Sequence, residues 1–149
     1  MIKEEIQNAV INAMKGKLVI ELKVLRFVLS LIQYEEINKQ KKLTEEETVS
    51  VLRKEIKKRK EAIELFKQGN RQELVADEEA QIKIIERYLP QQMSDIDLER
   101  VVDGVMSSNE KSMANMGKMI GAVLEKVKGQ ADGAKVAYMV KKKLQSTKP

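Results

Sequence analysis

The chain has 149 residues, of which 42% are hydrophobic and 34% charged, and its net charge is +5; these values suit one medium domain or two small helical domains. It contains no Cys and no His, which excludes disulfides, most nucleophile–base pairs and nearly all transition-metal sites. No apolar run approaches the roughly 20 residues of a membrane-spanning helix, and the first residues lack a signal-peptide core, so we expect a cytoplasmic protein with no cofactor, no metal and no membrane partner.

Apolar residues recur at helical spacing along the chain, and no alternating strand pattern is present. This pattern predicts helices at about residues 2–14, 18–38, 45–67, 72–89, 94–107, 115–128 and 133–144. Pro90 follows the fourth of them, so we predict an N-terminal domain at 1–91 and a C-terminal domain at 92–149. The predicted fold is all-α, a four-helix part packed with a three-helix part.

The buried faces of three helices can be predicted from the same spacing. In the first helix the predicted face is Ile2, Ile6, Val10 and Met14. In the second helix it is Leu18, Leu22, Leu25, Leu29 and Ile32, widened by Phe27 and Val28. In the helix at 115–128 it is Met116, Ile120, Val123 and Val127. Two helix starts carry a capping signature, Thr44 with Glu47 and Ser94 with Asp97.

Charge is distributed unevenly in the C-terminal part. Residues 91–110 hold one base and five acids, a sum of −4, whereas residues 111–149 hold nine lysines and two acids, a sum of +7. So basic a segment indicates either a solubilising surface or an anionic partner. A second basic cluster, "RKEIKKRK" at 53–60, allows the same two interpretations, a solvated helix face or a binding surface.

The segment 116–136, "MGKMIGAVLEKVKGQADGAKV", contains four of the seven glycines. Gly117 and Gly121 lie inside a predicted helix, where each costs about 1 kcal/mol relative to Ala. Their spacing fits neither a P-loop nor a dinucleotide-binding turn. A strip of bare backbone lets another surface approach closely, either a neighbouring helix of the same fold or a partner's sugar–phosphate backbone held by flanking lysines. Gly129 is predicted to end the helix with positive φ, and Asp132 to cap the next one.

Together with "GNRQEL" and "YLPQQMS" upstream, this segment resembles the YqeY family of small bacterial proteins, from the first helix to about Leu144. The C-terminal part is also similar to the tail domain of GatB, the tRNA-binding subunit of the glutamine-dependent aspartyl/glutamyl-tRNA amidotransferase. The resemblance implies an all-helical, two-part fold and an affinity for the outer corner of tRNA. It carries over no active site, because the catalytic residues of GatB lie in other domains. Where the YqeY pattern commonly has Pro near position 125, this chain has Glu125.

We therefore predict no catalytic residues and a surface that binds RNA. Its residues are Gly117, Lys118, Gly121, Lys126, Lys128, Gly129, Lys135 and Lys142. The expected function is a non-catalytic tRNA-binding accessory module. The alternatives are an adaptor whose Met-rich C-terminal surface docks on an aminoacyl-tRNA synthetase or amidotransferase, and an amidotransferase-associated carbon–nitrogen ligase subunit with glutamine as amide donor.

Overall fold

The structure is a computed structural model that describes residues 1–146. Within this range it consists of helices joined by short turns and contains no β-strand, which confirms the all-α prediction. The helices are α1 (Ile2–Lys15), α2 (Val19–Lys39), α3 (Glu45–Gln68), α4 (Gln72–Glu86), α5 (Asp95–Ser107), α6 (Met116–Val127) and α7 (Gly133–Ser146), with a 3-10 turn at Met113–Asn115 before α6. The chain divides into two compact units, the first at Met1–Leu89 and the second beginning at Pro90.

In the first unit α1 packs against α2, α3 packs against α4, and α2 also contacts α4. The core is aliphatic, as the low aromatic content requires. Its most deeply buried members are Ile6, Val24, Leu25, Val28, Ile32, Leu52 and Ile85. Burial of each such side chain contributes about 1.5–3 kcal/mol.

The predicted buried faces are wrong where α1 meets α2. Met14 is 52% exposed and Leu18 is 49% exposed, whereas Ala13 and Val24 are buried. A four-residue repeat advances about 40° around a helix at each step, so Met14 lies about 120° away from Ile2 and leaves the buried face. Leu18 precedes the first residue of α2 and therefore belongs to the turn between the helices.

The predicted caps are present. Thr44 Oγ1 accepts a hydrogen bond from the Glu47 N–H at 3.1 Å, and Glu47 Oε1 accepts one from the Thr44 N–H at 3.0 Å. Lys39 Nζ lies 2.5 Å from the same Glu47 carboxylate, and this hydrogen bond is the main reason that the pKa of Glu47 falls to about 2. At the start of α5, Ser94 Oγ accepts from the Asp97 N–H at 3.2 Å.

In the second unit α5, α6 and α7 pack against one another in pairs. Their inner faces supply a separate aliphatic core, which includes Leu98, Val102, Met119, Val123, Val127, Val136 and Val140. Met119 is fully buried although the predicted face omitted it, whereas Met116 and Ile120 are only partly buried. No helix of residues 1–146 is both long and apolar enough to cross a membrane.

Candidate nucleic-acid interface

Gly117 and Gly121 lie on the exposed side of α6. A methyl group built at either position would meet no atom of the described residues within 4 Å. Within the part of the chain that the structure describes, these glycines therefore do not serve the approach of a neighbouring helix, the first of the two explanations drawn from the sequence. The strip of bare backbone is open to solvent.

The opposite face of α6 fixes this orientation. Met119, Val123 and Val127 are fully buried and recur at helical spacing, so the helix cannot rotate without exposing them. One face of the helix is therefore locked into the core, and the glycine strip is held outward.

The turn after α6 differs from the prediction by one residue. The helix ends at Val127, and Lys128 takes the left-handed conformation with φ 46°. Its N–H donates to the Leu124 carbonyl at 3.2 Å. Gly129 follows with φ 80°, which confirms its predicted positive φ. Two consecutive left-handed residues reverse the chain immediately beyond the glycine strip and hold Lys128 there.

The predicted cap of α7 is also present. The N–H of Ala134 donates to Asp132 Oδ1 at 3.3 Å, and the N–H of Val136 donates to the Asp132 carbonyl at 3.0 Å. Both bonds satisfy donors in the first turn of the helix. The turn between α6 and α7 is therefore tied down at both ends.

Some lysines of α7 are paired with acids of α5. Lys135 forms an ion pair with Asp95, and Lys143 Nζ lies 2.9 Å from Glu99 Oε1 and 2.8 Å from Asp103 Oδ1. The hydrogen bonds to Asp103 and Glu99 raise the pKa of Lys143. One face of α5 thus neutralises one face of α7, and Lys135 of the predicted RNA-binding group is paired with a carboxylate.

The remaining lysines of the predicted surface are exposed and unpaired. None of Lys118, Lys126, Lys128 and Lys142 forms an ion pair with a carboxylate of residues 1–146. Lys118 and Lys126 lie on α6, separated by about 12 Å along its axis. Four predicted residues, Gly117, Lys118, Gly121 and Lys126, therefore share one helix, and Lys128 and Gly129 follow at its end. Lys142 lies apart from them, on α7.

Two residues beyond the predicted set belong to the description of this surface. Tyr138 is 66% exposed, and Lys142 Nζ lies 5.8 Å from the centre of its ring. The four-residue spacing of these two side chains on one helix is a signal that could have identified the pair. Glu125 is exposed one turn beyond Gly121 and places a negative charge at the end of the strip.

In the basic cluster at 53–60, the four lysines are exposed, whereas Arg59 is held inside the first unit. Arg59 Nε lies 3.1 Å from Glu55 Oε1, and its Nη1 lies 3.3 Å from Glu78 Oε2 and also donates to Gln81 Oε1. The guanidinium also lies 5.6 Å from the centre of the Phe27 ring. These groups line a cavity of about 570 Å³ between α2, α3 and α4. The arginine is therefore engaged inside the first unit, and the four-residue spacing from Glu55 is a sequence signal that could have predicted this pair.

No group of three or more acidic side chains within residues 1–146 is arranged to hold a metal ion. Acids such as Glu55 and Asp103 are instead paired with cations. The site that the structure offers is thus a surface of backbone and ammonium groups.

The comparisons with known proteins agree with the resemblance seen in the motifs. A family model described as Yqey-like protein matches residues 3–144. An uncharacterized protein of Schizosaccharomyces pombe is 34% identical over 91 residues, 61% of this chain and 74% of that protein. Altered inheritance of mitochondria protein 41, a mitochondrial protein of Pyrenophora tritici-repentis, is 28% identical over 126 residues, 80% of this chain and 67% of that protein. With a family match that spans nearly all of its length, the chain belongs to the YqeY-like proteins.

Proposed function

We propose that this protein is a non-catalytic tRNA-binding accessory module whose contact surface is the exposed side of α6 and the turn that follows it. The observation that carries the proposal is the open strip at Gly117 and Gly121, beside lysines that have no carboxylate partner among the described residues. The surface is named the α6 strip below and consists of Gly117, Lys118, Gly121, Lys126, Lys128 and Gly129.

The physical demand of the proposal is modest. A structured RNA is bound mainly through its phosphates and 2′-hydroxyls, which require positioned charge and close approach more than base-specific side chains. Unpaired ammonium groups release counterions from the phosphates when they bind. The missing side chains at Gly117 and Gly121 allow the sugar–phosphate backbone to come near the helix backbone next to Lys118.

The similarity of this segment to the tail of GatB points to tRNA among structured RNAs, and to its outer corner. We place the protein in the cytoplasm, where tRNA is abundant. The name of the Pyrenophora relative refers to mitochondria, a compartment that also contains tRNA.

The proposal is tested by titrating the full chain into labelled bulk tRNA and into duplex DNA of equal length, at several salt concentrations. We expect tighter binding to tRNA and an affinity that falls steeply as salt increases, because about three phosphates are neutralised by the lysines of the α6 strip. Equal affinity for the two polyanions, or an affinity independent of salt, would contradict the proposal.

The competing function is an adaptor that docks on an aminoacyl-tRNA synthetase or amidotransferase. A pull-down from lysate, with and without ribonuclease, separates the two, since an adaptor keeps its protein partner after RNA is destroyed. If the chain were instead a ligase subunit, the purified protein supplied with glutamine, ATP and glutamyl- or aspartyl-tRNA would form the amide product, and we expect none.

A further inference from the structure

The turn that joins α1 to α2 carries an exposed apolar surface. Residues 14–20, "MKGKLVI", are seven consecutive exposed residues, named the hairpin tip below. Its large apolar side chains are Met14, Leu18, Val19 and Ile20, which are 52%, 49%, 74% and 54% exposed. Single exposed apolar residues are ordinary on protein surfaces, but a contiguous group at one end of a helical hairpin indicates a contact surface.

The charged residues within the hairpin tip are both basic. Lys15 and Lys17 lie within it, and it contains no acid. The acid that follows directly, Glu21, is paired with Arg87 at 3.1 Å. Arg26 lies beside the tip, since its guanidinium is 3.6 Å from the sulfur of Met14. Apolar side chains surrounded by cations fit an occupant that is apolar inside and anionic at its edge.

Two chemical requirements narrow the choice of occupant. RNA offers phosphates to the lysines but no apolar medium for the four large side chains. An anionic phospholipid bilayer offers both, because its acyl region takes up apolar side chains while its headgroups attract lysines that extend to the interface. Because the tip lies where the hairpin reverses, the side chains can enter a bilayer without bringing the rest of the helices into it.

We propose that the hairpin tip is a peripheral anchor for an anionic membrane surface. Met14, Leu18, Val19 and Ile20 enter the interfacial layer, and Lys15, Lys17 and Arg26 contact the headgroups. The prediction of no membrane partner rested on the lack of a membrane-spanning segment, and a turn of seven residues can contact a membrane surface without spanning it. The inference concerns the first unit and is independent of the RNA contact proposed for α6.

The chain contains no Trp, so a single introduced tryptophan reports on the surroundings of one site. Val19→Trp places it in the hairpin tip, and Ile37→Trp is a matched control, because both native side chains are 74% exposed and lie near opposite ends of α2. Each full-length variant is mixed with vesicles of phosphatidylcholine alone or of equal parts phosphatidylcholine and phosphatidylglycerol. We expect a blue shift of emission, and quenching by brominated lipid, only for Val19→Trp with the anionic vesicles.

Sedimentation with the same vesicles, using chains without an introduced tryptophan, tests whether the residues of the hairpin tip are needed for vesicle binding. Two double variants should each reduce binding to anionic vesicles by about tenfold or more. Leu18→Ser/Val19→Ser removes apolar side chains that enter the interfacial layer. Lys15→Gln/Lys17→Asn removes two basic residues, each of which contributes about fivefold. Asn is chosen at position 17 because Lys17 has φ 55° and Asn tolerates this conformation. The control Ile37→Ser should bind as the native chain does.

The proposal is overturned by any of three results. The first is absence of vesicle binding, including the case in which the tip substitutions only dissociate a dimer or release a protein partner. The second is equal emission changes at positions 19 and 37. The third is vesicle binding that survives the tip substitutions but is lost when Lys118 and Lys126 are changed to Gln, which would assign membrane binding to the second unit.

Discussion

The lysines of the second unit fall into two groups that the sequence does not distinguish. Lys135 and Lys143 are held by Asp95, Glu99 and Asp103 of α5. The lysines of the α6 strip have no such partners among residues 1–146. The excess of +7 in residues 111–149 therefore overstates the charge available to a partner, because part of it is neutralised by the acidic helix that precedes it.

This difference separates lysines that join two helices of the second unit from lysines that are available to an anionic partner. A lysine that leaves its carboxylate for a phosphate must break one interaction to make another, whereas an unpaired lysine only releases water and counterions. The two groups also differ in their surroundings. The paired lysines lie between two helices, whereas Lys118 and Lys126 lie on the helix that carries the open glycines and Lys128 lies in the turn after it.

Removal of the unpaired charges should have the largest effect on binding. We predict that Lys118→Gln/Lys126→Gln/Lys128→Asn lowers the affinity for tRNA on the order of 100-fold at low salt and reduces the slope of log K against log salt by about 3. Asn at position 128 keeps the left-handed turn. The measurement is a binding titration at several salt concentrations, with circular dichroism to verify the helix content.

The matched control is Lys135→Gln/Lys143→Gln, which removes the paired lysines. Its affinity should remain within about threefold of the native value. The distinction between the two groups fails if both variants lose affinity equally.

Filling the α6 strip should separate binding from stability. Gly117→Ala/Gly121→Ala adds two methyl groups that meet no described atom within 4 Å, so the helix should gain about 1–2 kcal/mol from improved propensity. The same methyl groups should lower tRNA affinity about tenfold, because they hold the RNA backbone away from the lysines. Thermal unfolding and the binding titration measure the two effects.

Gly104 provides the control for this experiment. It is an exposed glycine of α5 with the same open surroundings. Gly104→Ala should stabilise the second unit by about 0.5–1 kcal/mol, half the gain of the double variant, and leave tRNA affinity unchanged. If the α6 variant gains stability and keeps its affinity, close approach at the strip plays no part in binding.

Glu125 should act in the opposite direction. It is exposed one turn beyond Gly121, where its charge repels phosphate. Glu125→Gln should raise tRNA affinity about threefold, by an amount that decreases as salt screens the repulsion. A lower affinity of the variant would place the RNA elsewhere.

The smallest effect concerns the paired lysines and pH. The carboxylates of Asp103 and Glu99 raise the pKa of Lys143 above its ordinary 10.5. Its contribution to stability is therefore complete below pH 10.5 and is lost as the pH rises through the higher pKa of the folded state. Because the group is near the surface, the contribution is below about 1 kcal/mol.

The check is urea unfolding of the native chain and of Lys143→Gln between pH 8 and pH 12, a range that brackets the ordinary lysine pKa. The difference in unfolding free energy should be constant at the lower end and should shrink at the upper end. A difference that grows with pH would mean that Lys143 is not stabilised by its acids.

Much of the fold could be predicted because its signals are local. Thr44 and Glu47 lie three residues apart and bond to each other, and Gly129 takes the positive φ that a helix end favours. Hydrophobic spacing predicted every helix, although it misplaced Met14 because a strict four-residue repeat drifts around the helix.

The parts that escaped prediction depend on residues distant in the chain. Lys135 is paired with a residue 40 positions away, so its sequence surroundings show only a basic helix. From the sequence, Gly117 and Gly121 could have faced either a neighbouring helix or solvent. The burial of Met119, Val123 and Val127 turns the glycines toward solvent. The exposure of the hairpin tip was equally hidden, since an apolar residue at helical spacing is normally buried.

The central claim is that RNA binds to the α6 strip. At 17.0 kDa, the isotopically labelled chain can be titrated with tRNA and followed by the backbone amide signals of Gly117, Gly121 and Gly104. The account predicts that the signals of Gly117 and Gly121 shift or broaden at substoichiometric tRNA while that of Gly104 keeps its position and relative intensity. Changes at Gly104 that equal those on α6, or α6 signals that stay constant while tRNA binds, would contradict it.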